Sequence, residues 1–253
     1  MSLPSTDPAS NDELERETRP TIAWKWEETP YNPGWHDPTS DILARNIPQG
    51  STVLEIGAGG SYALATVVSK NNCSGYGIEL DEDGLKKTRA FADLKSVTLH
   101  LVQGDGFRLP FTENAFDVVY SQGLVEHFKE DLTRELLLEH HRVCKPGGLV
   151  IVSVPNLWNL PHTMRKMLLR EKYEYYPERS YTSKRLRKLL EDSGLKVTGV
   201  DGVNPLWALG LFTGWWRVLV VLDRLRLLGR INHMKRSSWR ANTGFMTYAI
   251  ARK

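Results

Sequence analysis

The feature that most constrains the fold is a regular alternation of apolar strands and amphipathic helices that begins near Ser51. The apolar runs at residues 51–56, 115–121 and 147–155 are continuous, as strands covered on both faces of a sheet require. Helical patterns separate them, and such alternation predicts βαβ units with a parallel sheet. We therefore expect an α/β fold.

The segments that break this alternation divide the chain of 253 residues. A short helix is expected at residues 37–47, capped by Ser40 or Asp41. Four aromatic residues near the start, Trp24, Trp26, Tyr31 and Trp35, are expected to cover a ligand-binding site of the domain. The predicted parts are an acidic disordered tail with an aromatic cap (1–36), the core (37–156), an insertion (157–182), a core helix and strand (183–202), an apolar and basic insertion (203–244) and the last strand (245–253).

A glycine-rich turn follows the first predicted strand, within the sequence VLEIGAGGS at residues 53–61. Gly57, Ala58 and Gly59 lie where the strand passes into a helix, and glycine there lets a ligand approach the backbone closely. A dinucleotide-binding fingerprint would place a third small residue where this chain has Tyr62. The turn therefore predicts a ligand site but argues against a pyrophosphate clasp.

Acidic residues follow the next two predicted strands. Glu79, which precedes Leu80, ends the second strand and could accept hydrogen bonds from ribose hydroxyls. Asp105, which precedes Gly106, follows the third and could accept from an adenine amino group. Each could singly be a surface loop residue. Their order at successive strand ends predicts a ligand site there, because ligands of such sheets bind at the carboxyl ends of the strands.

With these motifs the chain resembles the class I S-adenosylmethionine-dependent methyltransferases, within the small-molecule group that includes the ubiquinone-pathway methyltransferases. The resemblance covers about residues 40–156 and the final strands. It implies a Rossmann-like sheet of seven strands, mostly parallel, with an antiparallel last strand and helices on both faces. It also implies S-adenosyl-L-methionine as the cofactor and in-line methyl transfer as the activity.

The resemblance assigns roles to individual residues. Glu55 and the glycine turn would surround the methionine part of the cofactor, and Glu79 the ribose. Asp105 and Gly106 would hold the adenine, while Ser121 and Gln122 would lie beside the methionine and the sulfonium. The predicted cofactor-binding residues are Glu55, Gly57, Ala58, Gly59, Glu79, Leu80, Asp105, Gly106, Ser121 and Gln122.

Glu126 and His127 follow the fourth strand. In ubiquinone-pathway O-methyltransferases an extra acid three residues before this glutamate is thought to complete a metal site, and here that position is Gly123. We therefore predict no metal. His127 is the candidate catalytic residue, as a general base for a hydroxyl acceptor, because its unperturbed pKa is near 6.5. The alternative, a histidine that packs the loop, stays open.

The second insertion is apolar and then basic. The dodecapeptide PLWALGLFTGWW contains no charge, and residues 158–253 contain 19 Lys or Arg against 7 Asp or Glu. A lid or dimer helix, a cover over an apolar acceptor and a patch on an anionic membrane all explain this pattern. We predict that residues 203–240 form a lid for a lipid-like acceptor and contact a membrane peripherally; a homodimer stays open.

The complete set of motifs favours an enzyme that methylates a small or lipid-like acceptor. The alternatives are an RNA or protein methyltransferase, or a non-catalytic protein of the same fold. Nucleic acid is disfavoured, because the basic residues are interleaved with leucine and no RNA-binding module is recognisable. Two cysteines and a polar, acidic start without an apolar leader lead us to expect a cytoplasmic protein.

Overall fold

The structure, a computed structural model, describes residues 33–170, 178–203 and 237–253. The predicted aromatic cap before residue 33 and most of the predicted lid, residues 204–236, lie outside the described residues. Within the described ranges, none of the helices has the length and apolar character needed to cross a membrane.

Seven strands and seven α-helices are described in these ranges. The strands are β1 Thr52–Ile56, β2 Ser74–Glu79, β3 Leu99–Gln103, β4 Phe116–Gln122, β5 Cys144–Pro155, β6 Lys196–Val203 and β7 Met246–Arg252. The helices are α1 Pro33–Asn46, α2 Tyr62–Asn71, α3 Glu82–Lys95, α4 Glu130–Val143, α5 Leu160–Leu169, α6 Ser183–Asp192 and α7 Ser237–Thr243.

The strands form one sheet in the order β3-β2-β1-β4-β5-β7-β6. Strands β1 to β5 pair in parallel, whereas β7 lies antiparallel between β5 and β6. This arrangement confirms the predicted seven-stranded fold with its antiparallel last strand. The strand order reverses between β1 and β4, and sheets of this kind bind ligands in the crevice at such a switch point.

Each face of the sheet carries its own apolar core, because successive side chains of a strand point to opposite faces. On one face Val53 and Val118 pack with Ile42 of α1. On the other face Leu54 packs with Leu136 of α4. The continuous apolar runs of the central strands thus bury both faces of the sheet.

Two boundaries differ from the predicted ones. Helix α1 begins at Pro33, so Ser40 is buried inside the helix rather than capping it. It continues through Pro38, which lacks an amide hydrogen, and buries Ile42 on the sheet. Strand β5 starts at Cys144, because the glycine-containing turn expected before it already pairs with neighbouring strands. The first insertion contains helix α5.

Candidate active site

The glycine turn after β1 lies at the carboxyl edge of the sheet. The amides of Gly57 and Ala58 each donate to the carbonyl of Ile78 at 2.9 Å, which ties the turn to the end of β2. Gly57 has a φ of +76°, and a Cβ there would lie 3.1 Å from the side chain of Leu124 in the loop after β4. The turn thus approaches the β4 loop too closely for a larger residue, which leaves backbone rather than side chain facing the crevice.

Glu79 closes one side of this crevice. Its Oε2 accepts from the amide of Gly59 at 3.0 Å, and its Oε1 accepts from the amides of Leu80 and Asp81 at 2.8 and 3.1 Å. Burial raises the pKa of the Glu79 carboxyl, although these three amides favour the ionised form. The carboxylate is therefore fixed across the glycine turn, and each of its oxygens can accept a further hydrogen bond.

Asp105 and Gly106 form a turn after β3 that reaches the end of β1. Asp105 Oδ1 accepts from the amide of Phe107 at 2.9 Å. A Cβ on Gly106 would meet Ile56 Cγ2 at 2.9 Å, so this loop also passes close to β1. Leu80, whose carbonyl accepts from Gln103 Nε2 at the end of β3, is 60% exposed and provides apolar surface near this turn.

Glu55 lies beneath the glycine turn rather than at its surface. It is buried and accepts hydrogen bonds from the hydroxyls of Ser61, at the start of α2, and of Tyr120, the latter at 2.7 Å. Burial raises the pKa of Glu55 to about 7 despite these two donors. The geometry gives Glu55 a supporting place under the turn, and its contact with the cofactor stays a prediction.

The two residues that end β4 face opposite sides of the sheet. Ser121 is buried, and its hydroxyl lies 3.0 Å from His140 Nε2, while His140 Nδ1 lies 2.7 Å from the carbonyl of Leu136. Burial lowers the pKa of His140 to about 4, so the imidazole is neutral and Ser121 donates to it. Among the described residues, the Gln122 Nε2 atom is buried without a hydrogen-bond partner. This amide is a ready donor for a bound ligand.

Glu126 and His127 form a single 3-10 turn after β4, and both are buried. Burial and the neighbouring charge of Glu178 raise the pKa of Glu126 well above its ordinary value. Its Oε2 makes no hydrogen bond within the ranges that the structure describes. A buried carboxyl group whose environment favours the neutral form thus lies in the loop that follows Gln122.

A second set of polar residues, from the predicted first insertion, adjoins this loop. Glu178 accepts from His162 Nε2 at 2.9 Å and from Lys166 Nζ at 3.3 Å. Burial would raise the pKa of Glu178, but the hydrogen bond from His162 and the nearby positive charges hold it below its ordinary value. The amide of Arg179 donates to the carbonyl of Glu126 at 2.9 Å, so the insertion is joined directly to the β4 loop.

The structure therefore brings the glycine turn, Glu79, the Asp105 turn and Gln122 to one edge, and turns Glu55 and Ser121 inward. Sequence reasoning missed Tyr120, His140 and Glu178. The first two had a signal: Tyr120 shares a strand face with Gln122, and His140 lies on the buried side of an amphipathic helix. Glu178 had none, because it approaches Glu126 only in three dimensions.

No group of three or more His, Cys, Asp or Glu in the described ranges has the arrangement of a metal site. The residues present do fit an adenosine-containing cofactor. An anionic side chain lies beside the glycine turn, an apolar side chain lies near the Asp105 turn, and a buried amide of Gln122 lacks a partner there. These are the features that a ribose, a flat base and a polar amino-acid group would use.

Comparison with known proteins identifies the domain. Residues 54–152 match the model of a methyltransferase domain family. A demethylmenaquinone methyltransferase from Geobacillus kaustophilus is 31% identical over 131 residues, which are 47% of this chain and 53% of that protein. A sterol 24-C-methyltransferase from Pneumocystis carinii is 28% identical over 109 residues, 42% of this chain and 28% of that protein. The chain thus spans about half the length, or less, of these curated relatives.

Solved structures share the fold at low sequence identity. A SAM-dependent methyltransferase from Thermotoga maritima superposes with a TM-score of 0.56 at 17% identity, over 86% of this chain and 89% of that chain. Phosphoethanolamine N-methyltransferase 2 from Haemonchus contortus, in complex with S-adenosyl-L-methionine, gives 0.58 at 18% identity, over 87% of this chain and 53% of that chain. Residues 54–152 thus match a methyltransferase domain, and the fold around them is shared with solved S-adenosyl-L-methionine-dependent methyltransferases.

Proposed function

We propose that this chain transfers a methyl group from S-adenosyl-L-methionine to a small, apolar, lipid-like acceptor. The observation that carries the proposal is the Glu79 carboxylate hydrogen-bonded to Gly59 across the turn after β1. It joins two motifs 20 residues apart in one crevice, at the switch point of the sheet. The bound cofactor supplies an electrophilic methyl group on its sulfonium.

The residues of the chain would bind and align the reactants. Glu79 would accept from the ribose hydroxyls, and the turn at Asp105 with the exposed side chain of Leu80 would hold the adenine. Gln122 would donate to the methionine part. Alignment of this kind supplies much of the rate of a two-substrate reaction, because the bound reactants no longer have to meet and orient.

Two observations support an apolar acceptor. The relatives named above act, by their names, on demethylmenaquinone and on a sterol. Leu157 and Trp158, separated from the end of β5 only by Asn156, are 38% and 58% exposed near the carboxyl edge. Residues 203–240, our predicted lid, would add further apolar surface, although most of them lie outside the described residues.

We expect the chain, incubated with methyl-labelled cofactor and a cell extract, to place label in the fraction that extracts into organic solvent. An apolar acceptor partitions there, whereas RNA and protein do not. The Glu79→Ala variant is the control for transfer that depends on the cofactor site. Label in RNA or protein would contradict the lipid-like acceptor, and no label from a chain that binds the cofactor would contradict the activity.

We also propose that His127 accepts the proton of a hydroxyl acceptor. It lies in the β4 loop next to Glu126 and interacts electrostatically with Glu178, whose lowered pKa favours the carboxylate and whose charge would stabilise an imidazolium. With the acceptor found above, the wild-type rate should fall at acidic pH, because a protonated imidazole can no longer accept the proton. The His127→Asn variant should be slower and lose this pH dependence. A variant that keeps the same pH profile would show that His127 only packs the loop.

A further inference from the structure

The helix α5 exposes apolar side chains to solvent. Its residues Leu160, Met164, Met167 and Leu168 are 63%, 52%, 70% and 71% exposed, and Trp158 immediately before it is 58% exposed. We call these five the α5 apolar face. In the described part of the chain, Leu80, Leu94 and Leu138 have comparable exposure, but each lies on a separate element. Contiguous exposed apolar patches on a folded protein usually mark a binding surface.

The orientation of α5 is fixed by its polar side. Asn159, which caps the helix by accepting from the amide of His162, also donates from Nδ2 to the carbonyl of Thr243 at 3.2 Å. His162 is fully buried, hydrogen-bonded to Glu178 and packed edge-on against Phe245 at 4.6 Å between ring centres. The helix therefore turns its polar residues inward.

This arrangement is the reverse of an ordinary surface helix, which buries its apolar stripe and hydrates its polar one. The exposed residues stand at positions i, i+4, i+7 and i+8 from Leu160, so they form one stripe along one side of the helix. Lys166, on the inward side, donates to the carbonyl of Glu178 at 3.1 Å. Rotating the helix to bury its apolar stripe would break these polar contacts, so the stripe stays outward.

The charges around the stripe indicate what it contacts. Residues 156–170 contain no Asp or Glu. Of their basic residues, Lys166 pairs with Glu178 on the inward side, whereas Arg170 at the end of the helix is exposed. A tryptophan beside leucines, methionines and basic residues is typical of helices that lie in the interface of an anionic membrane. The helix has ten residues, about 15 Å of length, which suits lying on a bilayer.

Other occupants of the α5 apolar face are less well matched by charge. A second copy of the same face would bring basic residues against basic residues. The segment 204–236 contains six Lys or Arg and one Asp, all from residue 217 on, so this basic half would add positive charge to a basic helix. An anionic lipid surface complements the positive charge of α5 and of the segment 204–236. We propose that the α5 apolar face docks this protein on the surface of an anionic lipid bilayer.

Helix α5 lies next to the crevice at the carboxyl edge of the sheet. The helix begins five residues after β5 ends at Pro155, and the neighbouring residue Ser153 is in register with Gln122 at the carboxyl edge. A bilayer on the α5 face would therefore lie beside the crevice, where a lipid-like acceptor could enter. This consequence rests on the proposed function, whereas the docking itself does not.

The test is flotation with vesicles of phosphatidylcholine alone or mixed with phosphatidylglycerol. We expect the wild type to float with the mixed vesicles, and the double variant Met167→Glu, Leu168→Glu to lose about tenfold or more in bound fraction, because two apolar side chains are removed and two negative charges added. The double variant Leu94→Glu, Leu138→Glu changes the charge equally at exposed sites elsewhere, and it should bind as the wild type does.

Calorimetry with S-adenosyl-L-methionine shows whether each variant is folded and keeps its cofactor site. A wild type that binds the cofactor but ignores the mixed vesicles would overturn the docking proposal, and the stripe would then be covered by residues 204–236 or by a second copy. Equal loss in both double variants would overturn it too, since charge alone would explain the binding. Neither result would contradict the proposed methyl transfer, which the labelling experiment tests separately.

Discussion

Replacing Glu79 by alanine is expected to weaken S-adenosyl-L-methionine binding about 10- to 150-fold, or about 1.4–3 kcal/mol. The carboxylate accepts from three backbone amides, including that of Gly59, and we propose that it also accepts from the ribose. Without it, these partly buried amides and the bound hydroxyls lose a hydrogen-bond partner. Isothermal titration calorimetry measures the loss directly.

A matched substitution separates this effect from a general change in charge. Glu82 lies three residues further on, at the exposed start of α3, and contacts Lys86 at 3.5 Å. The Glu82→Ala variant removes the same negative charge and should bind the cofactor as the wild type does. The Glu79→Gln variant, which keeps one acceptor oxygen, should have a cofactor affinity between those of the wild type and Glu79→Ala. Wild-type affinity in Glu79→Ala would show that the crevice does not use this carboxylate.

The Glu55→Gln variant is expected to change how stability depends on pH. The native pKa of Glu55 is about 7 against an ordinary value of 4.5, so between these values the native state holds a proton that the unfolded state releases. Stability contributed by this group is therefore greatest at low pH and falls as the pH rises through about 7. The full change is about 3 kcal/mol.

Glutamine keeps an oxygen that can accept from Ser61 and Tyr120 but cannot ionise. The free energy of unfolding of the variant, relative to the wild type, should therefore increase by about 3 kcal/mol as the pH rises from about 4.5 to above 7. Urea denaturation at several pH values measures it. His140, whose lowered pKa has the opposite effect, titrates in both proteins and cancels in the difference. A constant difference across this range would contradict a raised pKa at Glu55.

Local sequence patterns predicted the parts of the site that lie at strand ends. The glycine turn, Glu79 and Asp105 each follow a recognisable apolar strand. The carboxyl ends of parallel neighbours meet at one edge, so order along the chain was sufficient to predict that these residues converge. The antiparallel β7 was implied by resemblance to a family, and the pairing of β7 with β5 and β6 confirms it.

Contacts between distant segments could not be predicted in the same way. Tyr120 meets Glu55 across 65 residues because β1 and β4 pair in one particular register. His140 meets Ser121 because one turn of α4 faces the end of β4. If β4 were shifted by one residue relative to β1, or α4 relative to β4, these side chains would separate. The order of apolar and polar residues along the chain would nevertheless look the same.

In helix α5 the contributions of the sequence and of the tertiary structure are clearly separable. The sequence by itself determined the class of fold, the strand ends that carry the cofactor motifs and the basic character of the last third of the chain. Only the tertiary structure decided that α5 buries His162 and exposes Met167 and Leu168. The helical period places these residues on opposite sides, but which side faces the protein depends on Glu178 and Phe245, which the fold brings to the helix from distant parts of the chain.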